Sequence, residues 1–141
     1  MPELPEVETT RRGIARHITG KKITGVIIRD RRLRRPIPPG LEKKLRGRKI
    51  MGLTRRAKYL IFKLDRGALI LHLGMTGSLR LVSRDTPANK HDHAELILDG
   101  GQRLRFRDPR RFGCMLWTAD DPLDHELRSE EHTSELQSHV R

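Results

Sequence analysis

Apolar positions recur along the chain at helical spacing first and at strand spacing afterwards. Val7, Ile14 and Ile18 fall on one helical face. Pro2 and Pro5 suit a first turn, where their missing N–H groups are not needed, and Glu3, Glu6 and Glu8 suit the positive end of the helix dipole. The pattern predicts a helix over 2–18, with Gly20 as its stop. Strand patterns follow at Ile23–Arg29, Met51–Leu53, Tyr59–Leu64, Ala68–Leu73, Ser78–Val82, Ala94–Leu98, Leu104–Arg107 and Cys114–Thr118. Asp65-Arg66-Gly67 and Asp99-Gly100-Gly101 read as hairpin turns between neighbouring strands. Pro36–Gly40 reads as a loop and Leu41–Leu45 as one short helical turn.

Many short antiparallel strands after one helix predict a mainly β fold with flanking helices. The expected architecture is an antiparallel β-sandwich preceded by an N-terminal helix. Its expected extent is residues 1–127. The segment 128–141 is polar and lacks an apolar period, and Arg128–His139 reads like a frame translation of a sequencing-library adapter. That tail is expected to be non-native or disordered, with the natural sequence departing after about Leu127.

Composition sharpens the picture at two points. Hydrophobic residues make up 35% and aromatics 4%, so the core must rest on Leu, Ile and Val. Thirty Lys and Arg against eighteen Asp and Glu give a net charge of +12, which favours a polyanionic partner, because each phosphate neutralised releases condensed counterions. A basic ribosomal-type protein fits the charge equally well. No apolar run approaches the roughly 18 residues of a membrane span, and the N-terminus lacks the pattern of a signal peptide. The single cysteine, Cys114, allows neither an internal disulfide nor a four-cysteine zinc site in these residues.

The N-terminus holds the most distinctive chemistry. Removal of Met1 leaves Pro2 with a free secondary amine, and an α-amino group with a pKa of about 7.7–8.0 is roughly a tenth unprotonated at neutral pH. Such an amine is able to attack a sugar C1′ and form a covalent intermediate. A proline iminium has no N–H to lose, so it stays cationic and remains an electron sink for elimination. Glu3 and Glu6 lie near enough in sequence to move protons at that site, although acidic residues at a helix start often do no more than stabilise it.

Several blocks in order resemble the formamidopyrimidine-DNA glycosylases: Met1–Thr9, Arg55-Arg56-Ala57-Lys58-Tyr59, Leu71–Leu79, Lys90-His91-Asp92-His93 and Asp108-Pro109-Arg110-Arg111-Phe112-Gly113. The resemblance covers residues 1 to about 118. It implies that Pro2 is a Schiff-base nucleophile on a catalytic helix, Glu3 a proton donor, and Glu6 a residue shaping the same site. It implies that Lys58 sits against the phosphate flanking the lesion, that His72 and His91 contact DNA together with Arg111, and that Met75, Arg110 and Phe112 fill the gap left by an extruded nucleotide. On residue types alone, Lys58 is one of thirty basic residues, His72 is equally a strand histidine, and Met75 and Phe112 are equally core residues.

The implied activity is base-excision repair, by removal of oxidised purines such as 8-oxoguanine and formamidopyrimidines and β,δ-elimination at the flanking phosphates. The expected partner is double-stranded DNA carrying an oxidised base; no membrane is expected, and the protein is expected to be monomeric, cytoplasmic and nucleoid-associated. No cofactor or metal is expected in this chain, since the family's zinc finger belongs to a C-terminal part with no counterpart here. Two other readings stay open: an endonuclease VIII-like enzyme for oxidised pyrimidines, and a DNA-binding fragment without turnover.

Overall fold

The computed structural model describes residues 4–74 and 76–119. Helix α1 (Leu4–Ile18) leads into β1 (Ile23–Ile28), the short α2 (Leu41–Leu45), and then β2 (Ile50–Arg56), β3 (Tyr59–Leu64), β4 (Ala68–His72), β5 (Ser78–Val82), β6 (Asp92–Leu98), β7 (Arg103–Arg107) and β8 (Cys114–Thr118). The strands form two four-stranded sheets, β1-β6-β7-β5 and β2-β3-β4-β8, with every pairing antiparallel. The expected sandwich is therefore present. Both hairpins form where Gly67, Gly100 and Gly101 supply positive φ.

The core lies between the sheets. Leu60, Phe62, Leu69 and Leu71 from one face Leu96, Leu104 and Phe106 from the other, all fully buried. Each helix covers one open side. Helix α1 packs on β2 and β5, an edge strand from each sheet, while α2 packs on β1 and β8, the opposite two edges. Covering edges in this way blocks further strand addition. Val7, Ile14 and Ile18 form the buried face of α1, as their spacing predicts.

Two strands run at least two residues beyond their sequence signal. Strand β2 runs on through the polar Thr54-Arg55-Arg56, pairing as far as Arg56↔Tyr59. It is an edge strand, so its backbone bonds need no apolar side chains, and Arg55 instead serves α1. Strand β6 starts two residues before Ala94, because both early side chains find partners inside: Asp92 accepts from the Asn89 amide, and His93 donates to the Asp108 carbonyl. The first residues of the expected helix and the tail 128–141 lie outside the described residues.

Candidate active site and nucleic-acid face

Strand direction fixes which side chains meet. Strand β2 ends at Arg56 opposite the start of β3, β4 ends at His72 opposite the start of β8, and β7 ends at Arg107 opposite the starts of β5 and β6. One end of the sandwich thus carries the turn with Lys58, the turn after His72, His91 and the 108–113 loop. The start of α1 belongs to this end too. Arg55 donates to Glu8 of α1 at 3.0 Å and to the Ala57 carbonyl at 2.9 Å, so one guanidinium ties the helix to the Lys58 turn. Hydrogen bonds from Arg11 and then Arg55 hold the Glu8 carboxyl far below the usual carboxylate range. Ala57 takes φ 53, a conformation L-residues rarely adopt, and this tight reversal sets where Lys58 projects.

His72 packs edge-on against Tyr59, with ring centroids 4.8 Å apart. Its Nδ1 accepts the Gly74 amide at 3.0 Å, which leaves the proton on Nε2. Burial, Lys58 and Arg34 push its pKa down to about 4. The ring is therefore neutral at pH 7 and offers a donor without a charge. Above pH 6.5 it is neutral folded or unfolded and contributes nothing to pH dependence. As pH falls from 6.5 to about 4 the unfolded chain takes up the proton first, so stability drops by roughly 3 kcal/mol and then levels. Urea unfolding at pH 7 and pH 4.5 is expected to show a shallower fall for His72→Gln than for the parent; equal falls would refute the assignment.

The loops after β4 and β7 are pressed together. A Cβ on Gly74 would meet the Phe112 carbonyl carbon at 2.6 Å, and one on Gly113 would meet the His72 carbonyl oxygen at 2.4 Å, so only glycine allows this approach. Asp108, fully buried, joins them: it accepts the Gly113 amide at 2.7 Å and the Thr76 hydroxyl at 3.2 Å. Thr76 in turn accepts the Arg110 amide at 3.3 Å. Pro109 and Arg110 form the turn expected of Asp108-Pro109, and Arg110 is exposed there. Phe112 is half-buried, with the Arg110 guanidinium 5.1 Å from its ring centre.

Arg111 (φ 60) turns inward, pairing with Asp30 at 2.8 Å and donating to the Arg32 carbonyl at 2.7 Å. His91 is half-buried beside it, and burial together with Lys90, Arg107, His93 and Arg111 holds its pKa below the usual imidazole range. The His91 and His93 rings meet edge-on at 6.4 Å, but His93 is buried with Nε2 on the Asp108 carbonyl at 2.8 Å.

This order of blocks and this end of the sandwich have a known counterpart. The family model of the formamidopyrimidine-DNA glycosylase N-terminal domain matches residues 1–115. The chain belongs to the formamidopyrimidine-DNA glycosylase family. Formamidopyrimidine-DNA glycosylases of Stutzerimonas stutzeri and Geobacter sulfurreducens are 58% and 57% identical to it, each over 90% of this chain and 47% of the relative. Among solved structures, an inhibited LlFpg bound to DNA containing N7-benzyl-Fapy-dG superposes with a TM-score of 0.79 at 40% identity, over 86% of this chain and 46% of that one. Lactococcus lactis Fpg with abasic-site DNA gives 0.73 at 40% identity, over 82% and 44%. The chain spans about half the length of the curated relatives it matches.

Within this formamidopyrimidine-DNA glycosylase domain, Lys58, His72, His91, Arg110, Arg111 and Phe112 lie at one end of the sandwich. Glu6 is exposed in the first turn of α1, at the same end. Pro2, Glu3 and Met75 lie outside the described residues, although Gly74 and Thr76 on either side of Met75 form a turn. Asp108, Thr76 and Arg55 hold these parts together. In the sequence they carry little signal: an Asp before a Pro, a Thr in a glycine-rich turn, and one Arg among many.

Proposed function

We propose that this chain is the catalytic half of a bifunctional DNA glycosylase and AP lyase acting on oxidised purines in double-stranded DNA. The observation that supports it best is the gathering of the α1 start, the Lys58 turn, His72 and the 108–113 loop at one basic end of the fold. Pro2, two positions before α1 in sequence, is the nucleophile: its amine attacks C1′ as the damaged base departs with a proton from Glu3. As the C1′–O4′ bond opens, the proton lost by the amine passes to O4′ and a cationic iminium remains. The iminium acidifies the C2′ proton, whose loss expels the 3′ phosphate in β-elimination. Loss of the C4′ proton then expels the 5′ phosphate in δ-elimination. Glu6 shapes the proton path, and general acid–base help of this kind is typically worth about 10²–10⁴ in rate. Lys58 neutralises the flanking phosphate, and His72 donates Nε2–H to the backbone, with His91 and Arg111 as further contacts.

Extruding the damaged nucleotide costs a few kcal/mol. Met75, Arg110 and Phe112 offset that cost by filling the vacated stack. The family's zinc finger finds no ligand set in these residues, where Cys114, the single cysteine, is buried. The protein works as a monomer on nucleoid DNA in the bacterial cytoplasm, without a cofactor in this chain.

The test is borohydride trapping on a duplex containing 8-oxoguanine. The chain without Met1 is expected to give a covalent adduct that disappears on Pro2→Gly or when Met1 is retained. The net charge of +12 also suits one rival, a DNA-binding fragment without turnover. Salt-sensitive binding with no adduct would establish that rival instead.

A further inference from the structure

The loop between β1 and α2 reaches the same end of the sandwich. Leu33 and Ile37 are buried and anchor it. Arg111 fastens it to the 108–113 loop through Asp30 and the Arg32 carbonyl, and the Arg34 amide returns a hydrogen bond to the Arg111 carbonyl at 2.5 Å. These bonds set the exposed Arg34 side chain with its guanidinium 5.0 Å from the centre of the Phe112 ring, the ring that Arg110 also approaches. Two cations share one aromatic ring, a favourable contact for each but with mutual repulsion.

Among the described residues neither guanidinium has a carboxylate or any hydrogen-bond partner. The nearby acids are already engaged: Asp30 with Arg32 and Arg111, Asp108 with Thr76 and the Gly113 amide. A pre-positioned, unneutralised arginine beside a stacking ring is the arrangement that a backbone phosphate completes. We propose that Arg34 is a phosphate-binding residue of the nucleic-acid face, held in place by Phe112 and Arg111. This makes the 29–40 loop a further DNA-contacting loop, and it rests on the DNA-binding part of the function proposed above.

The test is the salt dependence of binding to a short duplex containing 8-oxoguanine, followed by fluorescence anisotropy. Each phosphate contact contributes about 0.9 to the slope of log K against log salt. Arg34→Gln is expected to reduce the slope by about that amount, while Arg34→Lys keeps the charge and the parent slope. Arg16→Gln, at the far end of α1, is expected to leave it unchanged. If the parent binds and Arg34→Gln keeps its slope, or Arg34→Lys loses as much as Arg34→Gln, the assignment is wrong. If the parent chain itself does not bind the duplex, the function proposed above fails, and this inference with it.

Discussion

Asp108→Ala is expected to lower unfolding stability by about 1–3 kcal/mol and, on the function proposed above, to weaken binding of lesion-containing duplex. The carboxylate is fully buried and is the acceptor for the buried Gly113 amide at 2.7 Å and for the Thr76 hydroxyl at 3.2 Å. Removing it strands the Gly113 amide, and an unsatisfied buried donor costs about 1–3 kcal/mol, whereas the exposed Thr76 hydroxyl can turn to water. The backbone bonds of residue 108, to His91 and from His93 and Arg111, survive the substitution, so the loop is loosened at its side-chain clasp alone. That clasp joins the turn before β5 to the loop that carries Arg110 and Phe112. Asp108→Asn keeps one acceptor oxygen and is expected to fall between parent and alanine. Urea unfolding with duplex binding on the same samples checks both effects; an alanine variant as stable as the parent would show that the carboxylate is not the clasp.

Asp108 illustrates where the sequence stops being legible. The sandwich was readable because alternation and β-branching report burial directly, and the hairpins because Gly67, Gly100 and Gly101 sit where positive φ is needed. Lys58, His72, His91 and Arg110 were readable as a set only through resemblance, since each alone is an ordinary basic or strand residue. What the pattern could not convey is which loops meet. Gly74 and Gly113 touch across the gap between β4 and β8, and Arg34 reaches Phe112 through a contact 78 positions long only because Arg111 folds back onto Asp30. These are tertiary closures, set by sheet order rather than by local propensity. Arg111 shows the same limit differently: as a motif residue it reads as a DNA contact, yet its side chain is also the brace for the 29–40 loop.

A second large effect is expected on the other face of the β1-β6-β7-β5 sheet. Glu95 and Arg105 are cross-strand partners, both essentially without solvent contact, and paired at 3.2 Å. Arg105 also donates to the Thr86 and Pro87 carbonyls at 2.8 and 3.0 Å, so this pair pins the segment leading to Lys90 and His91 onto the sheet. Removing one partner leaves an uncompensated buried charge, which typically costs about 3–5 kcal/mol, whereas replacing both with apolar residues is often close to neutral. Glu95→Leu and Arg105→Leu are each expected to lose stability on that scale. The double variant is expected to lose less than the sum, because Arg29 and Arg103, the other partners of Glu95, remain partly in water. Hydrogen exchange separates two roles of the arginine. Both variants lacking it are expected to expose the amides of residues 83–91, since no leucine can bond the Thr86 and Pro87 carbonyls, whereas Glu95→Leu is expected to leave them better protected. Additive stability losses, or equal exchange in all variants, would mean that packing of the segment, rather than this ion pair, holds His91 at its end of the sandwich.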